Sequence, residues 1–271
     1  MTQESQRHEI TKKAVVYRMP GTEAVTAQRD VAYRVTEAGT LDMDLYSPPD
    51  SKSGARRPAV VFVLGFSDLG AEKILGCQFR EMESYVSWAR LVAASGMVAI
   101  TYTNREPAPD LRALLQCVRQ NAESLGVDEA RIGVWACSGN VPLALSLLMQ
   151  EGSDHLRCAA LLYGYTMDLD GSTGVAEAAR TRGFVNPCAG KSLEDLSPDV
   201  PLFVARAGAD KMPGLNEALD RFLVKALGRN LPVTFVNHAT GPHAFDLFDD
   251  SETSRDVIRQ VLRFLRCHLL A

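Results

Sequence analysis

No stretch of the 271 residues is apolar for long enough to cross a bilayer, and the polar opening MTQESQRHEITKK holds no hydrophobic core of the kind an export signal needs. A cytoplasmic location is therefore the expectation, with no membrane partner. Lys and Arg are outnumbered by Asp and Glu, giving a formal net charge of −4, and the basic residues are scattered rather than gathered into a stripe that would track phosphates. That argues against nucleic acid. The six Cys (77, 117, 137, 158, 188 and 267) form no CxxC pair and no Cys/His spacing suited to zinc, so no metal site is expected. Four of them sit in or beside apolar runs and read as buried free thiols. Internal repeats and low-complexity tracts are missing as well, and no cofactor-binding motif stands out.

What is present is an apolar content of 46%, enough for a sizeable core, arranged as a single domain over residues 1–271. Alternation over Val31–Val35 and Leu41–Tyr46, with Gly39 and Thr40 between, predicts a hairpin. A polar loop over Ser47–Pro58 leads to Ala59–Leu64, apolar at every position, as strands covered on both faces are. The pattern then alternates: helix Met82–Ser95, strand Val98–Tyr102, helix Asp110–Ser124, strand Ile132–Trp135, helix Val141–Gln150, strand Ala159–Tyr163. It lapses over Tyr165–Asp199, where Thr173–Arg182 is the one helix candidate. Strand Leu202–Ala205, helix Gly214–Leu227, strand Val233–Val236 and helix Glu252–Leu270 complete it. The fold class is α/β, a doubly wound, mostly parallel sheet with an antiparallel start.

The chemistry concentrates where RIGVWACSGNV, residues 131–141, passes from an apolar strand through Cys137, Ser138 and Gly139 into a second apolar run. A Ser on such a strand-to-helix turn stands at the carboxyl edge of the sheet beside free backbone N–H groups. It needs a His to take its proton and a carboxylate to hold that His. His8 and His268 read as solvated, and His155 falls at the opposite end of the sheet. Of His238 and His243, both near the right edge, His243 lies on the loop itself and is the candidate base. Asp210, just past strand Leu202–Ala205, is the candidate orienting acid. Asp168 and Asp170, past strand Ala159–Tyr163, compete with it; Asp246, Asp249 and Asp250 lie too close to His243 in sequence and read as a solvated helix entry.

Ser138, Asp210 and His243 follow the chain order Ser, acid, His. RIGVWACSGNV resembles the nucleophile elbow of the α/β-hydrolase superfamily, Ala207–Asp210 its acid turn, and Gly241–Phe245 its His loop. Tyr33–Arg34 followed by LDMDLYSP (41–48) is similar to the front hairpin of the esterase/lipase and dienelactone-hydrolase-like branches. The resemblance extends from about residue 30 over nearly the whole chain. It implies a serine hydrolase acting on small-molecule carboxylic esters of small to medium acyl groups through an acyl-enzyme. A lactonase, peptidase or C–C hydrolase with the same triad is the rival, or a non-catalytic ligand-binding member; a homodimer is compatible with any of these.

Two departures from that pattern matter. The elbow is usually GxSxG, and here Ala136 and Asn140 flank the turn, Asn140 being large enough to crowd the helix against its strand. Where relatives carry HisGly or HisGlyGly, this chain has Leu64, Gly65 and Phe66. Backbone amides of Phe66 and Gly139 are assigned as the oxyanion hole, each worth about 3 kcal/mol of barrier when aligned. Dienelactone hydrolases use Cys, so Cys137 is a second nucleophile candidate; aligning on the strand places Ser138 at the elbow. The stretch 165–199 is expected to act as a short cap, with Phe184 and Asn186 touching substrate.

Overall fold

In the computed structural model, which describes residues 7–49 and 55–271, the strand-forming runs assemble into one eight-stranded sheet. Residues 1–6 of the polar amino terminus and 50–54 of the loop after the hairpin lie outside the described residues. The elements in chain order are β1 (Thr26–Thr36), β2 (Gly39–Ser47), β3 (Arg57–Phe62), α1 (Asp68–Leu75), α2 (Glu83–Ala94), β4 (Val98–Tyr102), α3 (Pro107–Gln120), β5 (Val127–Cys137), α4 (Val141–His155), β6 (Cys158–Leu162), α5 (Gly174–Arg182), β7 (Leu202–Ala207), α6 (Leu215–Gly228), β8 (Val233–His238), α7 (Phe245–Phe248) and α8 (Glu252–Leu269). Their order across the sheet is β1-β2-β4-β3-β5-β6-β7-β8. β1 and β2 pair antiparallel, β2 meets β4 antiparallel, and every later pairing is parallel.

Burial explains which runs became central. Ala59 to Leu64 are all at most 1% exposed, and β4 and β6 are buried at every residue, as strands with helices on both faces must be. On β5, Trp135 packs against Trp88 of α2 with ring centroids 5.3 Å apart. Gly133, two residues earlier and so on the same face, would meet Leu269 of α8 at 3.1 Å if it carried a Cβ. α2 and α8 therefore share one face, and Gly133 is the clearance that lets α8 lie close.

Several boundaries differ from the sequence expectation for identifiable reasons. β5 starts at Val127 rather than Ile132, because Val127 pairs with Arg57 although its next residues are charged and partly exposed. α3 starts at Pro107, where a proline costs no hydrogen bond in the first turn. α1 was not expected at all: it is capped by the Ser67 side chain accepting from Leu69 N–H and closed by Gly76 at φ 78°, yet only two of its residues are buried. So short a helix, with so little apolar surface covered, leaves a faint periodicity. Among the described residues, no helix is long and apolar enough to cross a membrane.

Candidate active site

At the carboxyl end of β5 the chain turns sharply, and Ser138 takes φ 54°, a left-handed conformation that costs a residue with a Cβ. The turn continues through Asn140 into α4. This presents the Ser138 hydroxyl above the sheet edge, with Oγ 3.0 Å from His243 Nε2. His243 Nδ1 stands 2.6 Å from Asp210 Oδ2. Since the carboxylate only accepts, Nδ1 carries the hydrogen and Nε2 presents its lone pair to the serine hydroxyl. Asp210 is buried to 1% side-chain exposure, and its other oxygen accepts from Met212 N–H at 2.8 Å.

Backbone bonds hold the two supporting loops together. Gly208 N–H donates to His238 O at 2.8 Å and Ala209 N–H to Gly241 O at 3.0 Å, so the acid turn after β7 is tied to the loop that carries His243. Tyr163, at the end of β6 with φ 34°, sets its ring edge-to-face against the imidazole at 5.2 Å. The structure thus brings together Ser138, Asp210 and His243.

The competing residues lie elsewhere. Asp168 accepts from Val175 N–H and Ala176 N–H and so caps α5, while Asp170 pairs with Lys225. His238 is buried against Asp249 and Ser254. Cys137 borders the site, but desolvation, with the charge of Asp246 adding to it, pushes its thiol up to about 12.

Phe66 and Gly139 lie side by side. A Cβ on Gly139 would meet the rings of Phe66 and Phe184 at 2.7 Å, and one on Gly65 would stand 2.7 Å from Gly139 O. Among the described residues, neither the Phe66 nor the Gly139 amide donates to a protein acceptor. Asn140, expected to crowd the elbow, instead braces it: buried, it accepts from Gly65 N–H at 2.7 Å through Oδ1 and donates through Nδ2 to Tyr85 Oη at 3.1 Å. Gly65 lets the facing loop come this near, since a Cβ there would stand 3.0 Å from Asn140 Cα. Asn140→Ala would leave the Gly65 amide without its acceptor, a loss of about 1–3 kcal/mol. Steady-state kinetics with p-nitrophenyl acetate should show kcat down by about 10–100-fold.

Next to Ser138 is a cavity of about 190 Å³, walled mainly by the rings of Phe66, Phe79, Tyr85, Trp88, Trp135 and Tyr163. Its outer wall comes from Ile10, ahead of the first strand, and from Leu247 and Phe248. No lining residue comes from 165–199, and neither Phe184 nor Asn186 is among them. Phe184 is buried, stacked on Tyr165 at 5.3 Å within a small apolar cluster between α5 and α6, and borders the site against Gly139 and edge-on to Phe66, with ring centroids 5.7 Å apart.

One expectation is corrected outright. Asp246 is 1% exposed, not solvated: Trp88 Nε1–H and Tyr163 Oη–H each donate to its carboxylate at 2.7 Å. Burial raises its pKa above the usual carboxylate range against the pull of those bonds. An acid set within the apolar run AlaPheAspLeuPhe was the signal available in the sequence.

Strand order, the turn at Ser138 and the placement of the acid and His loops define an α/β-hydrolase fold. Solved structures agree. The chain is similar to a bacterial heroin esterase (TM-score 0.68, 14% identity, 94% of this chain and 87% of that one) and to vibralactone cyclase (0.67, 16%, 93% and 82%). It is also similar to esterase LipW from Mycobacterium marinum (0.66, 18%, 91% and 83%). No protein-family model matches the sequence, and no curated protein matches it either.

Proposed function

We propose that the protein hydrolyses carboxylic esters with Ser138 as nucleophile, through an acyl-enzyme. The observation that carries this reading is the unbroken Ser138–His243–Asp210 chain, with contacts of 3.0 and 2.6 Å. His243 Nε2 takes the hydroxyl proton as Oγ attacks the carbonyl carbon, and Asp210 stabilises the imidazolium that forms. The amides of Phe66 and Gly139, free of other partners, receive the negative charge on the carbonyl oxygen. His243 then returns the proton to the leaving alkoxide, and water, activated by the same imidazole, releases the acid.

The cavity of about 190 Å³ supports small groups over long alkyl chains. The esterases among the structural neighbours support the ester bond as the target. A thiol pushed up to about 12 supports Ser138 over Cys137. The test is labelling of the folded protein by a fluorophosphonate, together with kcat/KM for p-nitrophenyl acetate, a lactone and an aminoacyl arylamide. Labelling at Ser138 and fastest turnover of the ester are expected. A folded protein that neither takes the label nor turns over any of the three would be a ligand-binding protein instead.

A further inference from the structure

Among the described residues, the cavity beside Ser138 is lined by one acidic residue, the almost wholly buried Asp246, and by no Lys or Arg. The two donors on that carboxylate, Trp88 Nε1–H and Tyr163 Oη–H, are both neutral. Hydrogen bonds without a countercharge leave a buried anion short of what it lost in leaving water, and buried charges are ordinarily paired. The space around it is walled by aromatic rings, and aromatic faces attract cations through their quadrupoles. Phe248, at the rim, already has the Lys13 ammonium 5.4 Å from its ring centroid. Ala244, Asp246, Leu247 and Phe248, which all line the cavity, follow directly on His243 in the chain. Since His243 must protonate the leaving oxygen, the half of the ester nearest this wall is the alcohol.

Resting on the ester-hydrolase reading, we propose that the cavity takes the alcohol half of the substrate and selects one ending in a small ammonium group, with Asp246 as its countercharge. A quaternary or protonated tertiary amine on a short linker has the size for it. The ammonium satisfies the carboxylate and the rings together, which no neutral alcohol of equal shape can do.

The test compares 2-(trimethylammonio)ethyl acetate with its neutral carbon isostere, 3,3-dimethylbutyl acetate. Wild-type protein should favour the cationic ester by about 10-fold or more in kcat/KM, and Asp246→Asn should cut that ratio severalfold, to what the rings alone supply. Calorimetric titration of the wild type with choline and with 3,3-dimethylbutan-1-ol decides the matter even where the variant fails to fold: choline should bind more tightly. Equal kcat/KM for the two esters, or equal binding of the two alcohols, overturns the proposal and leaves the hydrolase reading intact. Turnover of no ester, with choline still preferred, overturns the hydrolase reading and keeps the cation site.

Discussion

Ser138→Ala should lower kcat/KM for p-nitrophenyl acetate by about 10⁴–10⁶-fold, with the melting temperature close to that of the wild type. The expected size follows from what the hydroxyl does. In the proposed mechanism it is the atom that bonds to the carbonyl carbon, and without it His243 and Asp210 have no nucleophile to activate. What would survive is the stabilisation that the proposed oxyanion hole, the Phe66 and Gly139 amides, offers to attack by water. Folding should be spared because Ala keeps the Cβ and the strained φ of 54° alike. Wild-type turnover by the variant would remove Ser138 from the mechanism. Cys137 is poorly placed to substitute: its thiol, pushed up to about 12 by burial, is held in the protonated form at pH 7, and His243 Nε2 contacts Ser138 instead.

The second large effect is expected at a position with no side chain. A Cβ on residue 65 would stand 2.7 Å from Gly139 O and 3.0 Å from Asn140 Cα. Both obstacles are backbone, so neither can swing away. Gly65→Ala must therefore separate the loop after β3 from the elbow, moving the Phe66 amide away from the Gly139 amide. Loss of one such donor costs about 10²–10³-fold in kcat. KM for a small ester should change far less, because the contact is made to the charge that develops during attack. Gly70→Ala is the control: its Cβ would meet nothing within 4 Å, and it lies in α1, where Ala is the better helix former. That variant should keep full activity. Equal kinetics in the two variants would mean that the loop after β3 takes no part in catalysis.

Much of the architecture was legible because a parallel sheet covered on both faces writes itself as apolar runs separated by amphipathic ones. Ser138, Asp210 and His243 stood out for a related reason, each falling just past a strand on one edge. Side chains that act across the fold were less visible. Asn140 read as an obstruction because its partner, Gly65 N–H, is 75 residues away in sequence. Asp246 read as solvated because nothing local announces that Trp88 and Tyr163, 158 and 83 residues distant, will donate to it. The long irregular stretch after β6 drew attention by its length, whereas Ile10, in a polar segment with no strand or long helix, gave no cue that it faces the cavity. Polar partnerships of high sequence separation carry no periodicity, and periodicity is what a single sequence displays.

The amino-terminal segment lies outside the sheet and is tied down by Val16 N–H donating to Asp246 O at 2.8 Å, Val15 N–H to Ser87 Oγ at 3.0 Å and His8 N–H to Leu75 O at 3.0 Å, by an Arg7–Glu81 ion pair at 3.0 Å, and by Val15 packed into the core. On the proposed mechanism the reacting groups stand at strand ends, while part of one wall of the cavity comes from a segment outside the sheet. Substitutions at Ile10 are therefore expected to change which esters the cavity admits while leaving the Ser138, His243 and Asp210 geometry in place, an arrangement suited to the engineering of new specificities.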